Sequence, residues 1–218
     1  MTGKITILSI DTATGPTSVA LAREGKILGF IEDKAPGSQS TRLMPMIEQL
    51  LNEASLTYAD LGLVACTTGP GSFTSIRVGL AAARGICLAG NLPSLGYTTL
   101  ATLARAAQEE ANDLPILALL NAGKGEVYYQ GFTSAPLLSP LYDPALGTLA
   151  AALARIDTPV LIVGNVEAGT HKFCRSAIVF PRADALAMLA SERPFPPSEL
   201  SPFYIRPPDA KPMAVVDS

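Results

Sequence analysis

The sequence contains no tryptophan, a single histidine and three cysteines among 218 residues, and these scarcities exclude several kinds of site. Cys66, Cys87 and Cys174 are far apart and form no CxxC pair, which is typical of small buried thiols in a reducing compartment. One histidine and scattered cysteines cannot make the usual zinc site. A serine hydrolase would have to use His171, and no G-x-S-x-G motif precedes it, so His171 is interpreted as a loop residue.

Charge is also scarce. Charged residues make up 16% of the chain, the net charge is −3 and the pI is about 5.2. Proteins that bind nucleic acid directly usually carry a basic surface patch, and the sequence has no Lys/Arg cluster. If RNA is involved, another subunit must hold it.

The mean hydropathy is +0.31 and 48% of the residues are hydrophobic. A surplus of this kind indicates either an apolar face covered by a partner or an Ala/Leu-rich core, and the composition favours neither. The first apolar run, Ile5–Ile10, is too short for a signal peptide or a membrane span. We therefore expect a cytoplasmic protein with a first strand at this position.

Apolar periodicity predicts three hairpin-linked strands, two long helices and then a shorter α/β repeat. The predicted strands are Ile5–Ile10, Thr17–Leu21, Lys26–Ile31, Leu61–Thr67, Pro115–Leu120, Glu126–Phe132, Val160–Val163 and Ile178–Phe180. The predicted helices are 41–55, 73–89, 99–111, 143–155 and 184–191. Such an order predicts mixed sheets in two lobes that divide near Asn112–Leu114, an N-terminal lobe of residues 1–112 and a C-terminal lobe of residues 113–218 with a Pro-rich tail.

The first motif is Asp11-Thr12-Ala13-Thr14, directly after the first strand. An acidic residue followed by hydroxyls in a hairpin turn can face a phosphate and its magnesium ion. Asp and Thr also fill turns because they hydrogen-bond locally, and this interpretation ranks first. Asp11, Thr12 and Thr14 are retained as candidate cofactor-binding residues.

The second motif, GPGSFTSIRVG, runs from Gly69 to Gly79. A glycine turn leading into a helix N-terminus can bind an anion, or it can simply place the helix, with Ser72 as its cap. The spacing is not that of a P-loop. Further on, Gly123–Tyr129 is interpreted as a hairpin, with Asn121 where a kinase-type phosphate loop would need an acidic residue.

The stretches IDTATGPTSVAL, GPGSFTSIRVGLAAARGICLAGNLP, GEVYY and FYIRPPDA resemble the TsaB (YeaZ) family of bacterial partner proteins for threonylcarbamoyladenosine synthesis on tRNA. The resemblance covers most of the chain and is strongest over residues 5–105. It implies an actin-like ATPase (ASKHA) fold of two ribonuclease-H-like lobes with mixed sheets.

The resemblance also implies a non-catalytic subunit that supports a TsaD-like catalytic paralogue, assisted by a TsaE-like ATPase, with tRNA contacted indirectly. TsaD-like proteins hold a metal through an H-x-x-x-H pair, which a chain with one histidine cannot repeat. The two N-lobe helices are expected to join those of the paralogue, or of a second copy, in a bundle. The expected partner contacts, some of which must instead face the core, are Leu43, Met46, Ile47, Phe73, Ile76, Arg77 and Leu80.

Three departures from the family pattern weaken the case for nucleotide binding in the cleft. Ser75 replaces a glycine, Gln39 replaces a histidine, and the usual D-A-R-x-G-E-V-Y has Asn121 for its Asp and Gly123 for its Arg. No cofactor is assigned, and ATP or ADP at the interface of the complex is left open. The competing hypotheses are an independent small-molecule kinase of the same fold and a scaffold for another helical partner.

Overall fold

The computed structural model describes residues 5–35, 37–168, 174–192 and 198–206. Its first sheet contains β1 (Thr6–Asp11), β2 (Thr17–Arg23), β3 (Lys26–Asp33), β4 (Leu63–Thr67) and β5 (Ser94–Tyr97). The strands lie in the order β3-β2-β1-β4-β5. Strands β1 to β3 are antiparallel, whereas β4 and β5 run parallel to β1, so the sheet is mixed as predicted.

The second sheet is six-stranded. Its strands are β6 (Ile116–Gly123), β7 (Glu126–Thr133), β8 (Ser139–Pro140), β9 (Ala145–Thr148), β10 (Leu161–Gly164) and β11 (Cys174–Arg175). Strands β6 and β7 form an antiparallel hairpin, and β10 lies parallel to β6. The hairpin predicted for the second half of the chain is therefore confirmed.

The helices pack on the faces of both sheets. They are α1 (Gln39–Glu53), α2 (Phe73–Gly90), α3 (Thr99–Ala106), α4 (Leu149–Leu153) and α5 (Ala183–Glu192), with short 3-10 turns at Tyr58–Asp60 and Gln108–Glu110. Successive side chains of a strand point to opposite faces, so Leu8 and Ile10 pack with α1 and α2. Ile7 points the other way, into a core shared by α3, α5 and the second sheet.

Several predicted elements differ from the structure. The helix predicted over 143–155 is wrong in its first part, because residues 145–148 pair with β7 as β9. Only then does Thr148 cap α4 by accepting the Ala151 N–H at 3.1 Å. The strand predicted over Ile178–Phe180 is also wrong; the strand beside β10 is β11. Helix α3 ends at Ala106 rather than at Ala111, and α1 begins at Gln39, two residues earlier than predicted.

The chain returns to the first sheet after the second one is complete. Helix α5 packs against β1 and β2, and Ser198 forms an isolated antiparallel bridge with Gly96 of β5. We keep the division at residue 112 as a proposal, with the amendment that α5 and residues 198–203 pack on the first sheet. His171 and the tail beyond Arg206 lie outside the described residues.

Among the described residues, one helix, α2, is long and apolar enough by length and composition alone to cross a membrane. Its buried side chains, including Ile76 and Leu80, pack in the core of the first lobe, which is typical of a core helix.

Candidate functional site

The turn between β1 and β2 carries the predicted phosphate-type residues. Asp11 is fully buried, and its Oδ1 accepts the Thr67 hydroxyl at 2.6 Å and the Ala13 N–H at 3.3 Å. Its Oδ2 has no hydrogen-bond partner among the described residues. Burial raises the pKa of Asp11 to about 6, against the opposing effect of the Thr67 hydrogen bond. The carboxyl group is therefore poised to change its protonation state in mildly acidic solution.

The Thr12 and Thr14 hydroxyl groups differ from the Asp11 carboxyl group in their hydrogen bonding. The Thr12 hydroxyl donates to the Ser75 carbonyl oxygen at 2.6 Å, which fastens the turn to the first residues of α2. The Thr14 hydroxyl is buried, with no partner among the described residues. Because the Asp11 and Thr12 side chains are buried, binding of a phosphate by these three residues stays a prediction.

The glycine-rich element after β4 docks α2 onto that turn. The Ser72 N–H donates to the Ala13 carbonyl oxygen at 2.8 Å, and a Cβ at Gly71 would overlap the same oxygen. Ser72 caps α2 by accepting the Ser75 N–H through its side chain. Gly79 lies over Thr12, where a Cβ would overlap the threonine hydroxyl. Close packing accounts for both glycines, and the structure supports helix placement as the role of this motif.

Most of the predicted partner contacts lie in the core of the chain itself. Leu43, Met46, Ile47, Ile76 and Leu80 are all at most 1% exposed and pack against the first sheet. Their burial makes them stabilising residues of the lobe in this structure. Phe73, which is 43% exposed, and Arg77, which is also exposed, lie at the start of α2.

A groove between α1 and α2 provides the apolar surface that the sequence did not locate. Its volume is about 630 Å³, and it passes between Met44 and Glu48 of α1, Gly85 and Ala89 of α2, and Tyr58. Nothing lies within 4 Å of a Cβ built at Gly85. Glycine in a helix costs about 1 kcal/mol relative to alanine, and no close packing with the described residues accounts for that cost at Gly85.

Sequence reasoning missed Met44, Tyr58 and Gly85 for different reasons. Met44 lies next to the apolar stripe of α1 rather than in it. Gly85 carried a signal, because a glycine inside a helix indicates a close approach by another backbone, but that argument applies equally to Gly79. Tyr58 lies in a 3-10 turn that has no periodicity to detect.

The turn of the β6–β7 hairpin lies at the end of the second sheet. The Asn121 side chain accepts the Gly123 N–H at 2.8 Å, and the Asn121 N–H donates to the Asn165 side chain at 2.8 Å. Asn121 thus holds the hairpin turn in shape. Among the described residues, no group of three or more His, Cys, Asp or Glu side chains could hold a metal ion.

Comparison with known proteins gives consistent results. The family model for TsaD, tRNA N6-adenosine threonylcarbamoyltransferase, matches residues 22–188. The tRNA threonylcarbamoyladenosine biosynthesis protein TsaB of Escherichia coli is 37% identical over 56% of this chain and 53% of its own length. The chain thus spans about half the length of that relative. TsaB of Bacillus subtilis is 29% identical over 87% of this chain and 88% of its own.

Among solved structures, YeaZ from Pseudomonas aeruginosa superposes with a TM-score of 0.80 at 25% identity, covering 92% of this chain and 99% of that one. The structure is α/β with mixed sheets, as predicted, and the actin-like ATPase fold class is confirmed. The family model spans most of the chain, and together with these relatives it shows that the chain belongs to the TsaB (YeaZ) family.

Proposed function

We propose that this chain takes part in threonylcarbamoyladenosine synthesis on tRNA, as a non-catalytic subunit that supports a TsaD-type transferase. The relatives' names support the pathway. Two features favour the non-catalytic role. The chain has a single histidine, which cannot supply a metal-binding histidine pair, and it has a surface suited to a partner.

The observation that carries the proposal is the groove between α1 and α2. Small residues such as Gly85 and Ala89 let a partner helix approach closely, while Met44 and Tyr58 offer apolar area at its border. Met44 is 40% exposed and Tyr58 is 37% exposed, which is the state expected of side chains that become buried in a complex. Phe73 and Arg77, exposed near the start of α2, are also proposed as partner contacts; at about 100° per residue they lie on a different side of α2 from the groove.

A helix from the TsaD-type partner would therefore pack along α2, and a second copy of this chain would use the same face when the partner is absent. A TsaE-type ATPase would join the assembled pair rather than the free chain. With a net charge of −3, this subunit would contact tRNA only through its partner.

The test measures binding of the TsaD-type protein from the same organism by isothermal titration calorimetry. Gly85→Arg places a long side chain in the groove at a position where a Cβ meets no described atom within 4 Å, and Glu48, which also lines the groove, carries the opposite charge. Ala154→Arg, at an exposed position beside α4, is the matched control. We expect Gly85→Arg to weaken binding at least about tenfold, the cost of losing one well-packed contact in an interface, and the control to bind as the wild type does.

Two outcomes would contradict the proposal in different ways. Unchanged binding by Gly85→Arg would show that the partner docks elsewhere on the chain. No binding by the wild-type chain would remove the supporting-subunit role altogether, and ATP turnover by the purified protein would then favour an independent kinase.

A further inference from the structure

Residues 198–206, which we name the strap, cross the molecule from one sheet to the other. The strap begins at the edge of the first sheet, where Ser198 and Gly96 exchange two backbone hydrogen bonds of 2.8 Å. Leu200 then packs in the core beneath α2, and its carbonyl oxygen accepts the Arg84 Nε–H at 2.8 Å. The Phe203 N–H donates to the Thr68 carbonyl oxygen at 2.8 Å. This part of the strap is fixed to the first lobe.

The middle of the strap covers the first turn of α2. The Tyr204 ring stacks on Phe73 with centroids 5.3 Å apart, and the Arg77 guanidinium lies 3.6 Å from the centre of the Phe73 ring. The Arg77 Nε–H also donates to the Tyr204 hydroxyl oxygen at 3.2 Å. Tyr204 therefore fixes the position of both exposed residues at the start of the α2 face.

The far end of the strap is attached to the second sheet. Arg206 donates to the Ala122 carbonyl oxygen at 3.0 Å and forms an ion pair with Glu126. Ala122 and Glu126 belong to the β6–β7 hairpin. The Arg206 and Glu126 side chains are both partly shielded from water. Such pairs are stronger than fully exposed ones because water screens them less.

We infer that the strap couples the β6–β7 hairpin of the second lobe to the surface at the start of α2. When Arg206 holds the hairpin, Tyr204 stays on Phe73 and Arg77. When the ion pair opens, the end of the strap loses its anchor, and Tyr204 and the Phe203 hydrogen bond open more often. Local opening of this kind is governed by the few contacts that hold a segment.

The consequence is that movement of the second lobe changes the surface that a partner meets on the first lobe. The coupling itself does not depend on the proposed function, although its consequence for partner binding does. The chain of contacts runs from Glu126 through Arg206 and Tyr204 to Arg77, so a change at Glu126 should be detected at α2. The coupling is tested by a measurement on the free chain.

The experiment is amide hydrogen exchange followed by mass spectrometry on the free full-length chain. Glu126→Gln removes the ion pair and keeps the side-chain shape, and Glu167→Gln, at an exposed position of the same lobe, is the matched control. We expect Glu126→Gln to speed exchange roughly threefold in peptides covering Phe203 and the first turn of α2, the factor expected for a partly exposed ion pair. The control should exchange as the wild type does.

A second variant addresses the middle of the strap. Tyr204→Ala removes the ring contact while leaving the ion pair in place, and we expect faster exchange in the first turn of α2 and in the hairpin peptide that contains Glu126. Exchange in Glu126→Gln equal to that of Glu167→Gln would overturn the inference. So would a Tyr204→Ala effect confined to the strap itself. Neither result would bear on partner binding, because no partner is present.

Discussion

Replacing Gly79 by alanine should destabilise the protein, whereas the same replacement at Gly85 of the same helix should stabilise it. Both glycines lie in α2, and alanine is favoured over glycine in a helix by about 1 kcal/mol. Their surroundings differ: a Cβ at Gly85 meets nothing within 4 Å, whereas a Cβ at Gly79 would overlap the Thr12 hydroxyl, with Cys66 Sγ 3.5 Å away.

The magnitudes follow from those contacts. Gly85→Ala should raise the free energy of unfolding by about 1 kcal/mol, which corresponds to a Tm increase of about 2–4 °C for a chain of this size. Gly79→Ala gains the same helix preference but adds overpacking, at about 1–3 kcal/mol. It also displaces the Thr12 hydroxyl from the Ser75 carbonyl oxygen, at about 1 kcal/mol. The net loss for Gly79→Ala should be about 1–3 kcal/mol.

The assay is urea unfolding of the two variants and the wild type, followed by far-UV circular dichroism. Gly79→Ser, which also adds a Cβ, should be at least as destabilised as Gly79→Ala. If Gly79→Ala is as stable as the wild type, α2 does not pack on the β1–β2 turn as closely as described, and the role assigned to the glycine-rich motif is refuted. A destabilised Gly85→Ala would show that the groove is already filled within the chain.

Three further predictions concern the core, the buried carboxyl group and the thiols. Leu43→Ala should lower the free energy of unfolding by about 2–5 kcal/mol because Leu43 is 1% exposed. Met44 is 40% exposed, so Met44→Ala should change that free energy by less than about 1 kcal/mol. Equal effects of the two variants in urea unfolding would contradict the assignment of the two faces of α1. The pKa of Asp11 rises from 3.8 to about 6 on folding, so the folded state binds more protons than the unfolded state between these pH values. The free energy of unfolding should therefore fall by about 3 kcal/mol from this group as the pH rises from about 4 to 6. This fall should be absent in Asp11→Asn when unfolding is measured across the same range. Cys174 is exposed and Cys66 is buried, and burial also raises the pKa of the Cys66 thiol. A thiol reagent should therefore modify Cys174 first and Cys66 only on unfolding, as measured by peptide mapping. Early labelling of Cys66 would contradict the described core.

The sequence was informative wherever a pattern is local. The strands β1, β2, β3, β6 and β7 have nearly their predicted bounds because alternating or continuous apolar runs ended at turn residues. The apolar stripe of α1, which includes Leu43, Met46 and Ile47, is the buried side of that helix, although the sequence offered these residues as partner contacts. The helix expected at 143–155 failed because a short strand with the same Ala/Leu composition precedes α4, and only its pairing with β7 distinguishes the two.

The candidate site was harder to predict because its residues owe their role to distant packing. Leu43 and Met44 are both large apolar residues, and their periodicity shows that they face apart without showing which one a partner could reach. Gly79 and Gly85 are identical in type, and the difference between them is set by Thr12, which is distant in the sequence. The contacts of Tyr204 and Arg206 link residues far apart in the chain, so no spacing rule could have found the strap.

The role of the chain in tRNA modification is tested most directly in its own cells. The chain would be depleted, and threonylcarbamoyladenosine would be quantified in hydrolysed bulk tRNA by mass spectrometry. The account predicts a clear fall in the modified nucleoside that the wild-type chain and Ala154→Arg restore and Gly85→Arg does not. An unchanged level after confirmed depletion would contradict the proposed function.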